Sequence, residues 1–466
     1  MKRHLLFILV LLLFLSGSTT TFTKVTYAAV PSGCINPKAT NTLHGTLTGT
    51  QINYTIAMPS NWNGTLLLYS YIYTSPTDPS PNPAPIASDS TTQGALLQQG
   101  YALAGSSYGS GWAVQQAFQD QIALLDLFKN KCGSAARTIA WGQSLGGMIT
   151  AGLIQLYPTR FAAALPMCGT LAGSIGTWNQ ALDQTFAFNI LLAGNKLSIV
   201  HIPVFSAEKL INQATSILTS AQNSAQGKAR IALIAALGDV PGWYSSASPE
   251  PSSQDFAKQE YNQFLWENQL GLKLALGARV EIEFRAGGNP SWNTGIDYSK
   301  QLVSSINHNE AVALYKQAGL NLNQDLDALA KAPRIKADPG AVNYLSKYFT
   351  FNGNLSIPVL TMHTTGDGLA VNQDEQAYAS MASLKGKSGL LRQVFVHRAD
   401  HCAFTPAEIL AGIQTLMNRL KTGTWGNSTD PALMIKEANA LGRTFNTQPP
   451  AFFNFKPTSF LRPFNA

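Results

Sequence analysis

The stretch TIAWGQSLGGMITAG, residues 138–152, forces the chain through a very tight turn. Residues 138–141 predict a short buried strand, and the apolar run from Met148 predicts the opening turns of a packed helix. Between them, residues 142–146 read Gly-Gln-Ser-Leu-Gly and fit the pattern Gly-x-Ser-x-Gly. A serine at so sharp a turn needs small residues two positions away on each side, because bulkier neighbours would collide. Either Ser144 lies exposed at a strand-to-helix turn, or the pattern is an accidental Gly/Ser turn.

Strand patterns alternate with helical ones on both sides of this turn, and residues 45–59 and 64–73 are expected to form one strand each. Such alternation predicts an α/β fold with a mostly parallel sheet and helices on both faces. One long region shows mainly helical patterning without a fixed repeat, which predicts a large helical cap inserted into the sheet domain. The expected divisions are a signal peptide at 1–28, core at 29–170, cap at 171–354, core at 355–421, and a tail at 422–466 that packs on the body.

A nucleophilic serine needs a base to accept its proton and an acid to orient that base. The segment IPVLTMHTTGDGLAV predicts a strand followed by Asp367. Because loops at the carboxyl ends of parallel strands share one edge of the sheet, Asp367 is expected on the same edge as Ser144. Asp374 and Glu375 follow shortly after and are the alternative acids.

The base is expected after the next strand, where the chain offers His397 and His401. His397 lies within the strand pattern RQVFVHR, which favours a structural role. His401 lies in the loop that follows, in Ala-Asp-His-Cys, and is the predicted base.

Backbone N–H groups must also stabilise the negative charge that develops on the substrate oxygen. The residue after the nucleophile, Leu145, is expected to supply one of these donors. The second would come from the loop after the strand that ends near Tyr69. Tyr71 or Ile72 could supply it, since the donor is a backbone group.

With the Gly-x-Ser-x-Gly turn, Asp367 and His401 in this order, the chain resembles secreted α/β-hydrolases over residues 45–170 and 355–420. The pair His401-Cys402 resembles the feruloyl esterase and tannase group, in which a cysteine before the serine pairs with one after the histidine. This sequence has Gln143 before the serine. The resemblance implies a Ser-His-Asp hydrolase whose cap covers the serine, and five cap aromatics could line the pocket: Trp178, Trp243, Tyr244, Trp266 and Trp292.

The four cysteines allow three pairings. Cys168 follows the strand after the serine-bearing turn and should emerge at the same edge as Cys402. We therefore predict a Cys168–Cys402 bridge beside His401 and a Cys34–Cys132 bridge near the mature N-terminus. Free buried thiols are the alternative.

The N-terminus predicts export. Lys2-Arg3-His4 precede an apolar run from Leu5 to Leu15, and a small-residue site ends at Ala28, as in secretory signals. The run is too short to span a bilayer comfortably, so no stable membrane insertion is expected after cleavage. The formal net charge of +7 is not gathered into a basic cluster, which argues against a nucleic-acid partner. No phosphate-binding loop or zinc spacing is present, so no metal or organic cofactor is expected.

These features favour a secreted serine hydrolase that cleaves small-molecule or oligomeric carboxylic esters through an acyl-enzyme. A serine exopeptidase of the same fold is the first alternative. It would need an acidic anchor for the substrate amine, for which Glu281 and Glu283 are candidates. A non-catalytic binding protein on the same scaffold is the second.

Overall fold

A computed structural model of the chain describes Cys34, Asn36 and residues 38–464. The predicted signal peptide therefore lies outside the described residues. A single sheet runs through the molecule in the order β1-β2-β4-β3-β5-β6-β7-β8-β9. Its strands are β1 (Asn41–Thr46), β2 (Asn53–Met58), β3 (Thr65–Ser70), β4 (Ala102–Ser106), β5 (Arg137–Gln143), β6 (Ala163–Met167), β7 (Val359–Gly366), β8 (Leu391–Ala399) and β9 (Phe452–Phe453).

The centre of this sheet is parallel. Strands β4, β3, β5, β6, β7 and β8 pair in parallel, whereas β1, β2 and β9 join antiparallel at the two ends. Residues 45–59 form parts of two strands instead of the one expected, because Gly49, at φ 76°, turns the chain back between β1 and β2. The long connections between the parallel strands carry helices, as parallel pairing requires.

Helices cover the sheet in two layers. Those within the sheet portion are α1 (Ser90–Gln98), α2 (Val114–Cys132), α3 (Leu145–Leu156), and, in the second half, α13 (Gln373–Leu384), α14 (Pro406–Thr422) and α15 (Pro431–Ala440). Helix α2 packs against α3, and α1 packs against α14. Buried strands such as β3, in which every residue is buried, follow from this double cover.

The chain between β6 and β7 is helical throughout its regular structure and has a hydrophobic cluster of its own. A π-helical turn, Glu267–Gly271, links two of the helices. The helices are α4 (Gly173–Leu191), α5 (Ala207–Ala221), α6 (Ala225–Ala236), α7 (Phe256–Trp266), α8 (Leu272–Ala286), α9 (Tyr298–Ser304), α10 (His308–Gln317), α11 (Leu322–Lys331) and α12 (Pro339–Lys347).

The C-terminal segment lies across both parts of the molecule. Strand β9 pairs with the edge strand β8, and the guanidinium of Arg462 bonds the buried carboxylate of Asp183 on α4. The same guanidinium donates to the carbonyl of Trp292 at 2.7 Å. The last described residues therefore connect the sheet edge to the helical region.

Candidate active site

Ser144 is the single residue between β5 and α3, and its backbone has φ 56° and ψ −127°. This backbone conformation is costly for a residue with a side chain, by about 1–3 kcal/mol, and persists only where the surroundings impose it. The N–H of Ser144 donates to the carbonyl of Met167 at 3.0 Å, which fixes the turn against β6. The hydroxyl is thereby presented at the carboxyl edge of the sheet.

The two glycines of the motif are required by one carbonyl group of β3. A Cβ atom at Gly146 would lie 2.1 Å from the carbonyl oxygen of Ser70, and one at Gly142 would lie 2.4 Å from the same atom. Neither separation is possible without displacing backbone. The Gly-x-Ser-x-Gly pattern is thus explained by the passage of β3 directly beneath the turn.

His401 joins Ser144 to Asp367. Its Nε2 atom lies 2.8 Å from the Ser144 hydroxyl, and its Nδ1 atom lies 2.7 Å from Oδ2 of Asp367. The other carboxylate oxygen of Asp367 accepts the N–H groups of Leu369 and Ala370 at 2.9 and 3.0 Å. Asp367 is completely buried, whereas the His401 side chain is 18% exposed. The three side chains form one hydrogen-bonded chain that ends at a serine hydroxyl.

The alternative candidates lie elsewhere. His397 contacts the hydroxyl of Thr365 at 3.2 Å and the carboxylate of Glu250 at 3.3 Å. Asp374 accepts the N–H of Ala172 at 2.7 Å, and Glu375 contacts His363. Within the described residues, none of these three side chains forms a hydrogen bond with His401.

His363, on β7, was not singled out from the sequence and lies fully buried behind Asp367. Its Nε2 atom faces the carbonyl of Ala370 at 2.7 Å, and its Nδ1 atom faces the carboxylate of Glu375 at 3.2 Å. The carbonyl of Ala370 can only accept a hydrogen bond, so Nε2 of His363 carries a proton. Although burial lowers the pKa of His363, the hydrogen bond and charge of Glu375 outweigh it and raise the pKa to about 9.

The charge of His363 compensates the buried acids around it. Its Nε2 atom lies 3.7 Å from Oδ2 of Asp367, the oxygen that also faces His401. A buried carboxylate is costly unless it is paired and hydrogen-bonded. A histidine in an apolar strand pattern reads as a core residue, so nothing in the sequence indicated this pairing.

Tyr71 and Ile72 both remain candidates for the second oxyanion donor. Ile72 lines the cavity that contains Ser144 and Leu145, whereas Tyr71 is not among its lining residues. Tyr71 is instead stacked on Tyr108, with ring centroids 4.3 Å apart, and its carbonyl accepts the Tyr108 hydroxyl at 2.7 Å. That hydrogen bond orients the peptide group between Tyr71 and Ile72. Because the N–H of a trans peptide points opposite to its carbonyl, the N–H of Ile72 points away from the Tyr108 hydroxyl. Leu145 is the first residue of α3, where backbone N–H groups lack partners within the helix.

Two disulfides are present, Cys34–Cys132 and Cys168–Cys402. Cys168 follows β6 and Cys402 follows His401, so the second bridge ties the histidine loop to the strand beside the serine turn. The Sγ atom of Cys402 lies 3.4 Å from Nε2 of His401.

The Ser144 hydroxyl and His401 open into a cavity of about 310 Å³. Of the five aromatics expected to line it, Trp178 and Trp266 do so. Trp243, Tyr244 and Trp292 are not among the lining residues and pack elsewhere, as in the contact of Trp243 with His397. Most other lining residues are apolar and come from both parts of the molecule, among them Ile72, Trp112, Leu145, Leu274, Ala278, Leu369 and Val371.

Trp112 and Glu267 are among the cavity residues that were missed from the sequence. Trp112 precedes α2, and its indole N–H donates to Ser174 at 3.0 Å. Glu267 lies on the π-helical turn, and burial raises the pKa of its carboxyl to about 7. Trp112 lies before its helix and Glu267 lies within helical patterning, so neither has a local signal for a site; only the tertiary arrangement places them around Ser144. Glu281 and Glu283, the acids considered as an amine anchor, do not line this cavity; Glu281 accepts the N–H of Trp112 at 3.0 Å.

Within the part of the chain that the structure describes, no group of three or more His, Cys, Asp or Glu side chains is arranged to hold a metal ion. Across the same residues, no helix has the length and apolar character needed to cross a membrane.

The strand order, the serine turn and the chain order Ser144, Asp367, His401 define the α/β-hydrolase fold. No family model matches the chain. It is 27% identical over 432 residues to the o-phthalyl amidase of Xanthobacter agilis, an alignment that covers 86% of this chain and 91% of that protein.

The solved structures to which the chain is similar are much more distant in sequence. A variant of the rice-cell-wall-degrading esterase LipA from Xanthomonas oryzae is 12% identical, with 81% of this chain and 90% of that chain covered and a TM-score of 0.39. Feruloyl esterase B from Aspergillus oryzae is 13% identical, with 83% and 80% covered and a TM-score of 0.37. Est1E from Butyrivibrio proteoclasticus is 10% identical, with 82% and 98% covered and a TM-score of 0.36.

Proposed function

We propose that this protein is a serine hydrolase that cleaves carboxylic esters through an acyl-enzyme intermediate. The observation that carries the proposal is the chain of hydrogen bonds from Asp367 through His401 to the Ser144 hydroxyl at 2.7 and 2.8 Å, at the wall of an apolar cavity. A base within about 3.2 Å of a serine hydroxyl and itself oriented by a carboxylate is the arrangement that activates the hydroxyl for attack.

The steps follow from this geometry. The Ser144 oxygen attacks the ester carbonyl carbon while its proton passes to Nε2 of His401, and Asp367 stabilises the imidazolium through Nδ1–H. The N–H of Leu145 and that of Tyr71 or Ile72 stabilise the oxyanion. His401 then returns the proton to the departing alkoxide, which leaves as the alcohol. Water attacks the acyl-serine by the same route, releases the carboxylic acid and restores the Ser144 hydroxyl.

Hydrolysis of an amide of an aromatic acid is the second candidate. It is favoured by the similarity to an o-phthalyl amidase over nearly the whole length of that protein, and by the walls that Trp112, Trp178 and Trp266 contribute to the cavity. Aromatic side chains pack well on an aromatic acyl group. Amide and ester hydrolysis would use the same three residues and differ only in the leaving group.

A cavity of this size suits a discrete molecule better than the surface of a polymer. We further propose that the helices between β6 and β7 act as a cap that determines the acyl group. Secretion is also proposed, since the two disulfides would form and persist in an oxidising compartment. Cell fractionation with N-terminal sequencing of the exported protein tests this part.

The chain from Ala29 onward should be assayed on short-chain, long-chain and aromatic nitrophenyl esters, beside the N-aroyl nitroanilides of the same acids and aminoacyl nitroanilides. Ester cleavage that is lost in Ser144→Ala, together with labelling of Ser144 by a fluorophosphonate, would support the esterase. Cleavage of the aroyl anilides with little ester cleavage would support the amidase, and cleavage of the aminoacyl anilides alone would support an exopeptidase. Activity that persists in Ser144→Ala would refute the mechanism, and binding without turnover or labelling would favour a non-catalytic protein.

A further inference from the structure

We infer that Glu267 determines substrate specificity by binding an O–H or N–H donor on the substrate held in the cavity. This inference rests on the proposed function, because it concerns the same cavity. It adds a polar recognition point to a pocket that is otherwise mainly apolar. The substrate class it defines is an aromatic acyl compound that carries a hydroxyl or a protonated amine.

One oxygen of the Glu267 carboxyl accepts a hydrogen bond within the protein, and the other does not. Its Oε1 atom accepts the side-chain amide of Gln184 at 3.1 Å. Its Oε2 atom makes no hydrogen bond to the described residues and is not fully enclosed, although the residue as a whole is only 2% exposed. Glu267 and Gln184 both line the cavity that contains Ser144. Because Glu267 lines the cavity and is otherwise almost fully buried, we infer that the remaining oxygen faces the cavity.

The side chains of Glu267 and Gln184 fit in the cavity wall because two neighbouring residues are glycines. A Cβ atom at Gly271 would lie 2.7 Å from Oε2 of Glu267, and one at Gly238 would lie 2.0 Å from Nε2 of Gln184. The π-helical turn Glu267–Gly271 sets the carboxyl and the first of these glycines together at the wall. Single π-turns inside helical segments are frequent at functional sites. The carboxyl is thus built into the wall by several elements and is not a surface group turned inward.

The charge balance of the cavity points to a donor as the occupant. Its lining contains neither lysine nor arginine, and Glu267 is its only acidic residue among those described. Burial alone accounts for the raised pKa of Glu267, with no cationic partner to offset it. A buried acceptor without a partner is costly, and a substrate donor would remove that cost. Above pH 7, where the carboxyl of Glu267 is mostly ionised, a substrate without a donor would leave it unpaired and an anionic group beside it would be repelled.

The test compares matched nitrophenyl esters of 3-phenylpropanoic acid. The ring carries hydroxyl, aminomethyl or methoxy at the meta or para position, and methoxy is the analogue without a donor. In the wild type we expect kcat/KM for at least one hydroxyl or aminomethyl ester to exceed that of its methoxy analogue by about tenfold or more. In Glu267→Met this ratio should fall to near one.

Glu260→Gln is the matched control, because Glu260 is equally buried and burial likewise raises the pKa of its carboxyl to about 7, yet it does not line the cavity. It should keep the wild-type ratio. Glu267→Gln separates the two donors, since the amide still accepts a hydrogen bond but carries no charge. A hydroxyl preference should persist in part in this variant, and an ammonium preference should be lost.

A wild type that shows no preference for any donor ester, or a preference that survives in Glu267→Met, would overturn the inference. These outcomes are distinct from failure of the proposed function. In that case the wild type would turn over none of the esters, the methoxy analogues included, or Ser144→Ala would retain the activity. If Glu267→Met does not fold, the ammonium arm of Glu267→Gln decides the role of the charge.

Discussion

The disulfide between Cys168 and Cys402 allows the contribution of the histidine loop to be separated from the stability of the chain. The two bridged cysteines are 234 residues apart in sequence, and those of the second bridge, Cys34–Cys132, are 98 apart. Loop-closure entropy gives a stabilisation of roughly 5.5 kcal/mol for the longer loop and roughly 4.7 kcal/mol for the shorter one. The two loops do not overlap in sequence, so each bridge can be removed without changing the other loop.

Removing either bridge by a pair of alanine substitutions should therefore lower the unfolding free energy by similar amounts, within about 1 kcal/mol of each other. The effect on turnover should differ. Cys402 follows His401 directly and Cys168 follows the strand that fixes the serine turn, so the Cys168–Cys402 bridge holds the base relative to Ser144. Displacement of a reacting group by about 1 Å can cost about a hundredfold in rate. We expect kcat to fall about tenfold or more in Cys168→Ala/Cys402→Ala and to stay near the wild-type value in Cys34→Ala/Cys132→Ala.

The assay is nitrophenyl ester hydrolysis at a temperature at which circular dichroism shows both variants folded, with urea midpoints measured by tryptophan fluorescence. Equal kcat values in the two double variants would refute the idea that the bridge positions His401. A large loss of kcat in Cys34→Ala/Cys132→Ala would refute it as well, since that bridge is remote from the histidine loop.

Three further outcomes are expected. Gly146→Ala should lower stability by about 1–3 kcal/mol and abolish turnover, because its Cβ would meet the β3 backbone; Gly94→Ala, with nothing within 4 Å, should be neutral or stabilising in urea titrations. Arg462→Met should cost about 3 kcal/mol, because the buried Asp183 would keep its hydrogen bonds from Tyr298 and Gln301 but lose its cationic partner. Asp183→Asn should recover part of that loss, and equal midpoints for the single and double variants would contradict this. Burial raises the pKa of Glu310 to about 8, against the ordinary 4.5. Its folded form therefore binds protons more tightly than its unfolded form, and its destabilisation grows as pH rises from 4.5 to 8; Glu310→Gln should raise the urea midpoint at pH 9 relative to wild type, with no gain at pH 4.

Much of the fold could be predicted because its signals are local. Alternating apolar strands and amphipathic helices predicted the parallel sheet, and the long helical region was recognised from its periodicity. The division of residues 45–59 into two strands was missed, because β-branched residues continue across the turn at Gly49 and hide it. The position of β9 at the sheet edge was equally invisible, since a two-residue strand has no periodicity.

The sequence by itself determined the serine turn and the candidates for its partners. The small residues at both ends of 142–146 indicate a sharp strand-to-helix turn. The order of the later strands restricts the acid and the base to a few loop residues. Short range is the physical reason: a turn is decided by neighbours within a few positions of each other. The position of Cys402 directly after His401 is likewise read from the sequence alone.

Only the tertiary structure decided what surrounds these residues. His401 lies 257 positions from Ser144 in sequence, and the approach of Glu267, Trp112 and His363 to the site depends on how the helices and strands pack. None of these three has a local sequence signal that marks it as part of a site. The role of such a buried side chain is determined only when distant segments pack together. Charge interactions, hydrogen bonds and cavity shape depend on distances in space and not on separation along the chain.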